Sequence, residues 1–210
     1  MKYNLLTGLL ILLASGTEII SAQETEPVQD KSLFIKGNAL FAPIGILNVG
    51  LEKQLNSRYT IQGDVFISPW KSFAGHELQY YSASAEGRYY FKEAFKHWYV
   101  GANLAFAVYN VQKWNYWNDS LHINDNGDTY INSNLYQRGF SIMLGVTAGY
   151  QFQLSDRWNL DIYGTVGTSQ GFYKGYDRTT GKRYDQASGL NKSGEIIPYR
   201  GGIMISYKLK

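Results

Sequence analysis

Acid–base chemistry in this chain would have to start from His76, His97 and His122, the only three histidines, one of which stands in Ser120-Leu121-His122. A serine hydroxyl beside an imidazole is the kernel of a nucleophile–base pair, and such a pair near a membrane rim would suit lipid acyl transfer. The kernel needs a third group to orient the base. Ser120 and His122 lie in a polar stretch that offers no fixed orienter, so a solvated loop is expected and no catalytic residue is assigned. Asn124-Asp125-Asn126-Gly127-Asp128 has the composition of a calcium loop. With Gly127 at the sixth position, His122 falls first and Ser133 twelfth, where an Asp and a bidentate Glu are required. A turn is expected there instead, with no metal and no other cofactor. The chain has no cysteine. That excludes disulfides, thiolate metal sites, a cysteine nucleophile and lipid attachment through an N-terminal cysteine.

Seven charged residues form a different kind of constellation: Lys36, Glu52, Asp64, Glu86, Arg88, Asp161 and Arg200. Each stands on the polar face of a run that alternates apolar and polar residues with period two, the signature of a half-buried strand. Eight such runs are legible, at 33–42, 47–55, 59–68, 81–91, 98–109, 140–154, 158–166 and 199–209. The clearest sets Phe140, Ile142, Leu144, Val146, Ala148, Tyr150 and Phe152 against Ser141, Met143, Gly145, Thr147, Gly149, Gln151 and Gln153. In the last run Tyr199 is placed on the apolar face and Arg200 on the polar one. Runs of roughly ten residues match a membrane-crossing strand. The expected fold is all-β, an eight-stranded antiparallel transmembrane β-barrel in up-and-down order, over residues 33–210. In such a barrel the apolar faces meet lipid and the charges meet one another inside, where an eight-stranded interior is filled by side chains. A soluble barrel would turn the apolar faces inward, and periodicity alone does not choose between the two. Glu52 and Asp64 are expected at similar depth, with Arg88 bridging them and Lys36 or Arg200 assisting across the lumen.

Connection lengths alternate in phase with that topology. Tight turns at 56–58 and 155–157 and a modest one at 92–97 alternate with longer links at 69–76, 110–137 and 171–197, as periplasmic turns alternate with outer loops. Gln54-Leu55-Asn56-Ser57-Arg58-Tyr59 and Gln153-Leu154-Ser155-Asp156-Arg157-Trp158 resemble each other, which shared turn chemistry explains. Tyr59, Tyr89, Tyr90, Phe91, Trp98, Tyr99, Tyr150, Phe152 and Trp158 gather near the short turns, as an interfacial girdle does. The long links carry Trp70, Phe73, Trp114, Tyr116, Trp117, Tyr173 and Tyr176, a possible binding surface. Nearby lysines and arginines would suit lipopolysaccharide phosphates. The formal net charge of +3 is too small to argue for nucleic acid. Lys2, the apolar run from Leu5 to Ala14 and the small pair Ser21-Ala22 read as a cleaved export signal over 1–22. Residues 23–32 form a flexible lead.

Several stretches carry a resemblance beyond pattern: Ile67-Ser68-Pro69-Trp70-Lys71-Ser72-Phe73, Glu86-Gly87-Arg88-Tyr89-Tyr90-Phe91, Trp98-Tyr99-Val100-Gly101-Ala102-Asn103, the run from Tyr136 to Asp161, and Pro198-Tyr199-Arg200-Gly201-Gly202. Together they resemble an uncharacterised family, a domain of unknown function, of Gram-negative outer-membrane β-barrels. Some of its members are encoded near fimbrial or surface-assembly genes. The resemblance implies fold and location, and it carries no catalytic residue with it. The segment from Gly202 to Leu209 resembles the signal read by the barrel-insertion machinery, although the chain ends on Lys210 and not on an aromatic residue. Outer-membrane lipid, lipopolysaccharide, that machinery and a surface-assembly component are therefore the expected partners. A structural or surface-interaction role is expected. A lipid-modifying enzyme at the outer rim and a narrow channel are the alternatives.

Overall fold

The computed structural model describes residues 31–124, 126–185 and 188–210. The expected export signal at 1–22 and most of the lead at 23–32 lie outside the described residues. Ten strands follow in order: β1 (Leu33–Asn38), β2 (Leu47–Gln54), β3 (Tyr59–Phe73), β4 (His76–Tyr90), β5 (His97–Val111), β6 (Leu121–Ile123), β7 (Thr129–Ile131), β8 (Leu135–Gln153), β9 (Trp158–Asp177) and β10 (Asn191–Lys208). Among the described residues the only helical pieces are 3-10 turns at Ala42–Ile44, Trp114–Tyr116 and Asn132–Asn134. Eight strands run antiparallel to their chain neighbours and close on themselves through β1 and β10, with Phe34 opposite Lys208 and Asn38 opposite Met204. β6 and β7 make a separate hairpin inside the β5–β8 connection.

The two similar hexapeptides form the same turn. Leu55 and Asn56 donate their N–H groups to the Tyr59 carbonyl, and Leu154 and Ser155 donate theirs to Trp158. The Asn56 side chain accepts from the N–H groups of Arg58 and Tyr59, and Ser155 Oγ accepts from those of Arg157 and Trp158. In each, the turn arginine reaches a tyrosine phenol on another strand: Arg58 to Tyr89 and Arg157 to Tyr207.

The strands outrun the alternating segments at the opposite end. Residues 69–76 are not a loop: β3 and β4 continue to Phe73 and His76 and turn through Ala74 and Gly75, both at positive φ. β9 runs to Asp177 and β10 starts at Asn191, which shortens the third long link. Periodicity registers a contrast in burial between two faces, whereas ladder pairing needs only backbone groups, so pairing continues where the contrast fades. β1 errs the other way. It stops at Asn38, and the chain turns early through Ala42–Ile44 with Gly45 in the left-handed region.

One side-chain placement is corrected. Tyr199 is not on the outer face, because the β9–β10 register shifts between Pro198 and Arg200. A bulge gives two residues the space of one and reverses parity along the strand. Tyr199 and Arg200 therefore both face inward, and the Tyr199 hydroxyl donates to Asn103 at 2.8 Å. Elsewhere along the ladders the expected faces hold. Past the end of β1, Leu40, expected inward, is exposed, and Phe41, expected outward, packs against Phe66, because the chain has left the strand there. Leu104 and Leu144 are 55% and 61% exposed on the outside, while all seven charged side chains turn inward.

The short-turn end of the lumen is stoppered. Phe95, in the β4–β5 turn, folds inward at φ +68 and packs 4.4 Å from Phe34, among Tyr90, Tyr99, Tyr163 and Met204. A bulky residue at positive φ is a true outlier, held here by burial and by the Asn159 amide, which donates to the Phe95 carbonyl.

Candidate functional site

The seven charged residues form one continuous lattice across the lumen. Lys36, on β1, donates to Glu52 of β2 and to Asp161 of β9, each at 2.6 Å. Arg88, on β4, reaches Glu86 at 2.6 Å, Asp161 at 2.8 Å and Glu52 at 3.2 Å, while its guanidinium lies 4.5 Å above the Tyr99 ring. Arg200, on β10, pairs with Glu86 at 2.5 Å and with Asp64. Neutral donors fill the remaining acceptor positions: Thr60 and Tyr90 on Glu52, Tyr99 on Asp161, Thr147 and Asn103 on Glu86, and Ser84 on Asp64. Three cations face four carboxylates, so these seven residues together carry one excess negative charge.

Arg88 does not bridge Glu52 and Asp64. The β2–β3 register sets Gly50, not Glu52, opposite Asp64. The two carboxylates thus lie one inward-facing step apart, and Arg88 spans Glu52, Glu86 and Asp161 while Arg200 takes Asp64. Lys36 shares Glu52 and Asp161 with Arg88, and Arg200 shares Glu86 with it besides pairing with Asp64. Gly149 makes the arrangement possible, since a Cβ there would stand 2.4 Å from the Tyr99 hydroxyl.

At the long-link end the structure separates residues that the sequence grouped. Trp70 and Phe73 stand on β3; the Trp70 indole donates to the Ile44 carbonyl at 3.0 Å and covers the β1–β2 turn. Tyr173 and Tyr176 stand on β9, Tyr173 beneath the Lys113 ammonium at 5.5 Å and Tyr176 stacked on Tyr136. Trp117 stacks on His76 at 4.4 Å and stays exposed. Tyr116 meets Tyr184 and His122. Of Trp114, the described structure holds only the backbone, in its 3-10 turn.

Ser120 and His122 do not pair. The Ser120 hydroxyl donates to Asn118 and accepts from Asn132, while the His122 ring lies against Tyr184. The Asn124 side chain closes the β6–β7 turn by accepting from the N–H groups of Asn126 and Asp128; Asp125 lies outside the described residues.

Sequence reasoning missed three features. Tyr90 and Tyr99, expected in the interfacial girdle, are buried and brace the lattice from inside the lumen with Tyr163, because they stand on the inward faces of β4 and β5. Phe95 closes one end, signalled only by a large apolar residue in an otherwise charged turn. The β6–β7 hairpin is the third. His122 and Tyr130 turn inward onto Tyr184, which Gly175 admits by lacking a Cβ, while Leu121, Ile123 and Ile131 point outward, the first two 68% and 65% exposed. Alternation on both sides of Asn-Gly-Asp is a hairpin signal the sequence did carry. Burial pushes the Tyr184 phenol well above its usual pKa. Burial also disfavours an ionised Asp185, but Arg183 and the Gly175 N–H hold its carboxyl below the ordinary aspartate range.

No curated protein and no solved structure matches the chain. A family model described as "Protein of unknown function (DUF3575)" matches residues 8–209, nearly the full length. The chain belongs to that family of proteins of unknown function.

Proposed function

We propose that this chain is an exported outer-membrane β-barrel of a Gram-negative envelope, with a structural lumen and an outer end that meets a surface partner. The observation that carries the reading is its inverted polarity. Ion pairs with fully buried side chains occupy the interior, while Leu, Ile, Val and Phe side chains stand exposed around the wall. A barrel in water would expose the charges; one in lipid exposes the aliphatic side chains. Tyr59, Phe91, Trp98, Phe152 and Trp158, exposed near the short turns, fit a girdle at one interface. The lattice and the Phe95 stopper argue against conduction, and the unpaired Ser120 and His122 give no support to lipid chemistry there.

The partner surface is the outward face of the β6–β7 hairpin with Trp117. Its apolar residues suit a protein component of surface assembly better than lipopolysaccharide phosphates, which would prefer the basic residues around it. Cysteines placed at Ser120 and Ser188 should react with an impermeant reagent on intact cells, and one at Ser57 only after lysis. Labelling of Ser57 alone would reverse the barrel or remove it from the membrane. Leu121→Asp with Ile123→Asp should then abolish crosslinking from Trp117→Cys to a discrete surface protein without changing barrel assembly.

A further inference from the structure

Above the lattice the lumen is not filled. A cavity of about 340 Å³ is walled by Phe66, Tyr80, Ala105 and Met143, and floored by Tyr163 and Arg200. It reaches the barrel wall at one place. β1 makes its last ladder pair at Asn38–Met204, followed by the Ala39 N–H on the Ile203 carbonyl, and β2 begins only at Leu47, opposite Ile67. Beyond those points β3 and β10 rise with no strand between them. Trp70 covers the turn on the β3 side. On the β10 side the cavity is bordered by Leu40, Phe41 and Pro198. Proline belongs on an edge strand because it has no N–H to leave unpaired, and the adjacent bulge sends Tyr199 inward to form part of the cavity wall.

We propose that this cavity binds a single medium-length aliphatic molecule carrying an uncharged oxygen acceptor, admitted sideways through the gap between β10 and the β1–β2 turn. Its size lies at the small end of ligand pockets, about 300–1,000 Å³, which suits one chain and not a whole diacyl lipid. Its lining mixes apolar side chains with Asn48, Asp64, Ser82 and the Tyr80 and Tyr199 hydroxyls. Tyr80 is engaged with Met143 Sδ, Tyr199 with Asn103, and Asp64 with Asn48, Ser84 and Arg200. At the floor, the Arg200 Nε–H and the Tyr163 hydroxyl are buried without partners, and the Arg200 side chain is nine-tenths buried. Both groups can donate, so they call for an acceptor oxygen. A carboxylate would add a second unbalanced negative charge to the lattice below, and an ammonium has no acceptor to offer. An ester, amide or ketone oxygen meets both conditions.

Only the sideways route rests on the membrane reading. The chain has three methionines, and Met1 falls within the expected export signal. Met143 lines the cavity, and Met204 lies in the cluster around Phe95. In barrel refolded into phosphatidylcholine vesicles with ¹³C-methyl methionine, methyl decanoate should shift the Met143 resonance and not Met204. Decanoate and decylamine should bind about tenfold more weakly, the order of one satisfied hydrogen bond. Ala105→Phe should abolish the response by filling the cavity, and Tyr163→Phe should weaken it about three- to tenfold. If a bilayer chain is the natural occupant, the Met143 signal moves on transfer from detergent to vesicles before any probe is added. Absence of both responses in folded barrel overturns the site, as do equal affinities for the three probes or an unchanged response in Ala105→Phe. A barrel that fails to enter vesicles yet gives the full Met143 response in detergent keeps the site and refutes the membrane reading.

Discussion

From the short turns up to Asp64 the lumen holds five ion pairs with both side chains fully buried, and Phe95 closes the end. From Asp64 toward the long links the same eight strands enclose a cavity, and the wall is interrupted where β1 and β2 stop short. The strands themselves do not differ in kind between the halves. What differs is the charge of the inward residues and the space they leave: Lys36, Glu52, Glu86, Arg88 and Asp161 below, and above them small Ala105, Ala107 and Ser82 among Phe66, Tyr80, Met143 and Tyr199. A barrel of fixed strand number has a fixed bore, so small inward residues leave space that long ones would fill. Ion pairs are concentrated below, and room for a ligand above.

The largest effect should come from breaking the filled half. Arg88→Met strands Glu52, Glu86 and Asp161 without their shared cation and should cost about 3–5 kcal/mol, the usual penalty for removing one side of a buried pair. Urea unfolding of the barrel in lipid measures it. Amides at Glu52, Glu86 and Asp161 in the Arg88→Met background should recover much of the loss, whereas an amide at Asp64, which belongs to Arg200, should not. An unchanged midpoint would mean that the lower half is as hydrated as the upper.

Removing the stopper comes next. Phe95→Ala should cost about 3–4 kcal/mol, within the range for a buried aromatic residue, and should make the lower lumen exchange with solvent. If stability falls by less than half of that, the turn is not what closes the lower end.

On the outer wall, Leu144→Arg should cost about 2–4 kcal/mol in lipid if the residue lies near the midplane. A neutral effect there would mean that the exposed aliphatic face is not in lipid, and the contrast between the halves would then describe a soluble molecule.

The smallest effect concerns the loop packing above the cavity. The carboxyl of Asp185 is held below the ordinary aspartate range, so its contribution is present at neutral pH and is lost as pH falls through that lowered value. Hydrogen exchange around residues 178–185 should quicken on acidification, and Asp185→Asn should remove the pH dependence. Equal acid sensitivity in Asp185→Asn would assign the effect to another group.

The sequence by itself determined which residues of each strand share a face, from the alternation of Leu, Ile and Val with polar residues, and hence that seven charged residues stand on one side of the sheet. Which side turns inward the alternation alone left open. The sequence also determined the paired turns at Asn56-Ser57-Arg58 and Ser155-Asp156-Arg157, because those side chains bond only to groups within a few residues of themselves. Only the tertiary structure decided which cation meets which carboxylate, since a register set by backbone ladders moves Glu52 and Asp64 one inward step apart. The bulge at Tyr199, the inward fold of Phe95, the early end of β1 and the cavity beside it were decided there too. Each depends on what the facing strands leave unfilled or unpaired, and that is a property of the closed barrel which no single run of residues carries.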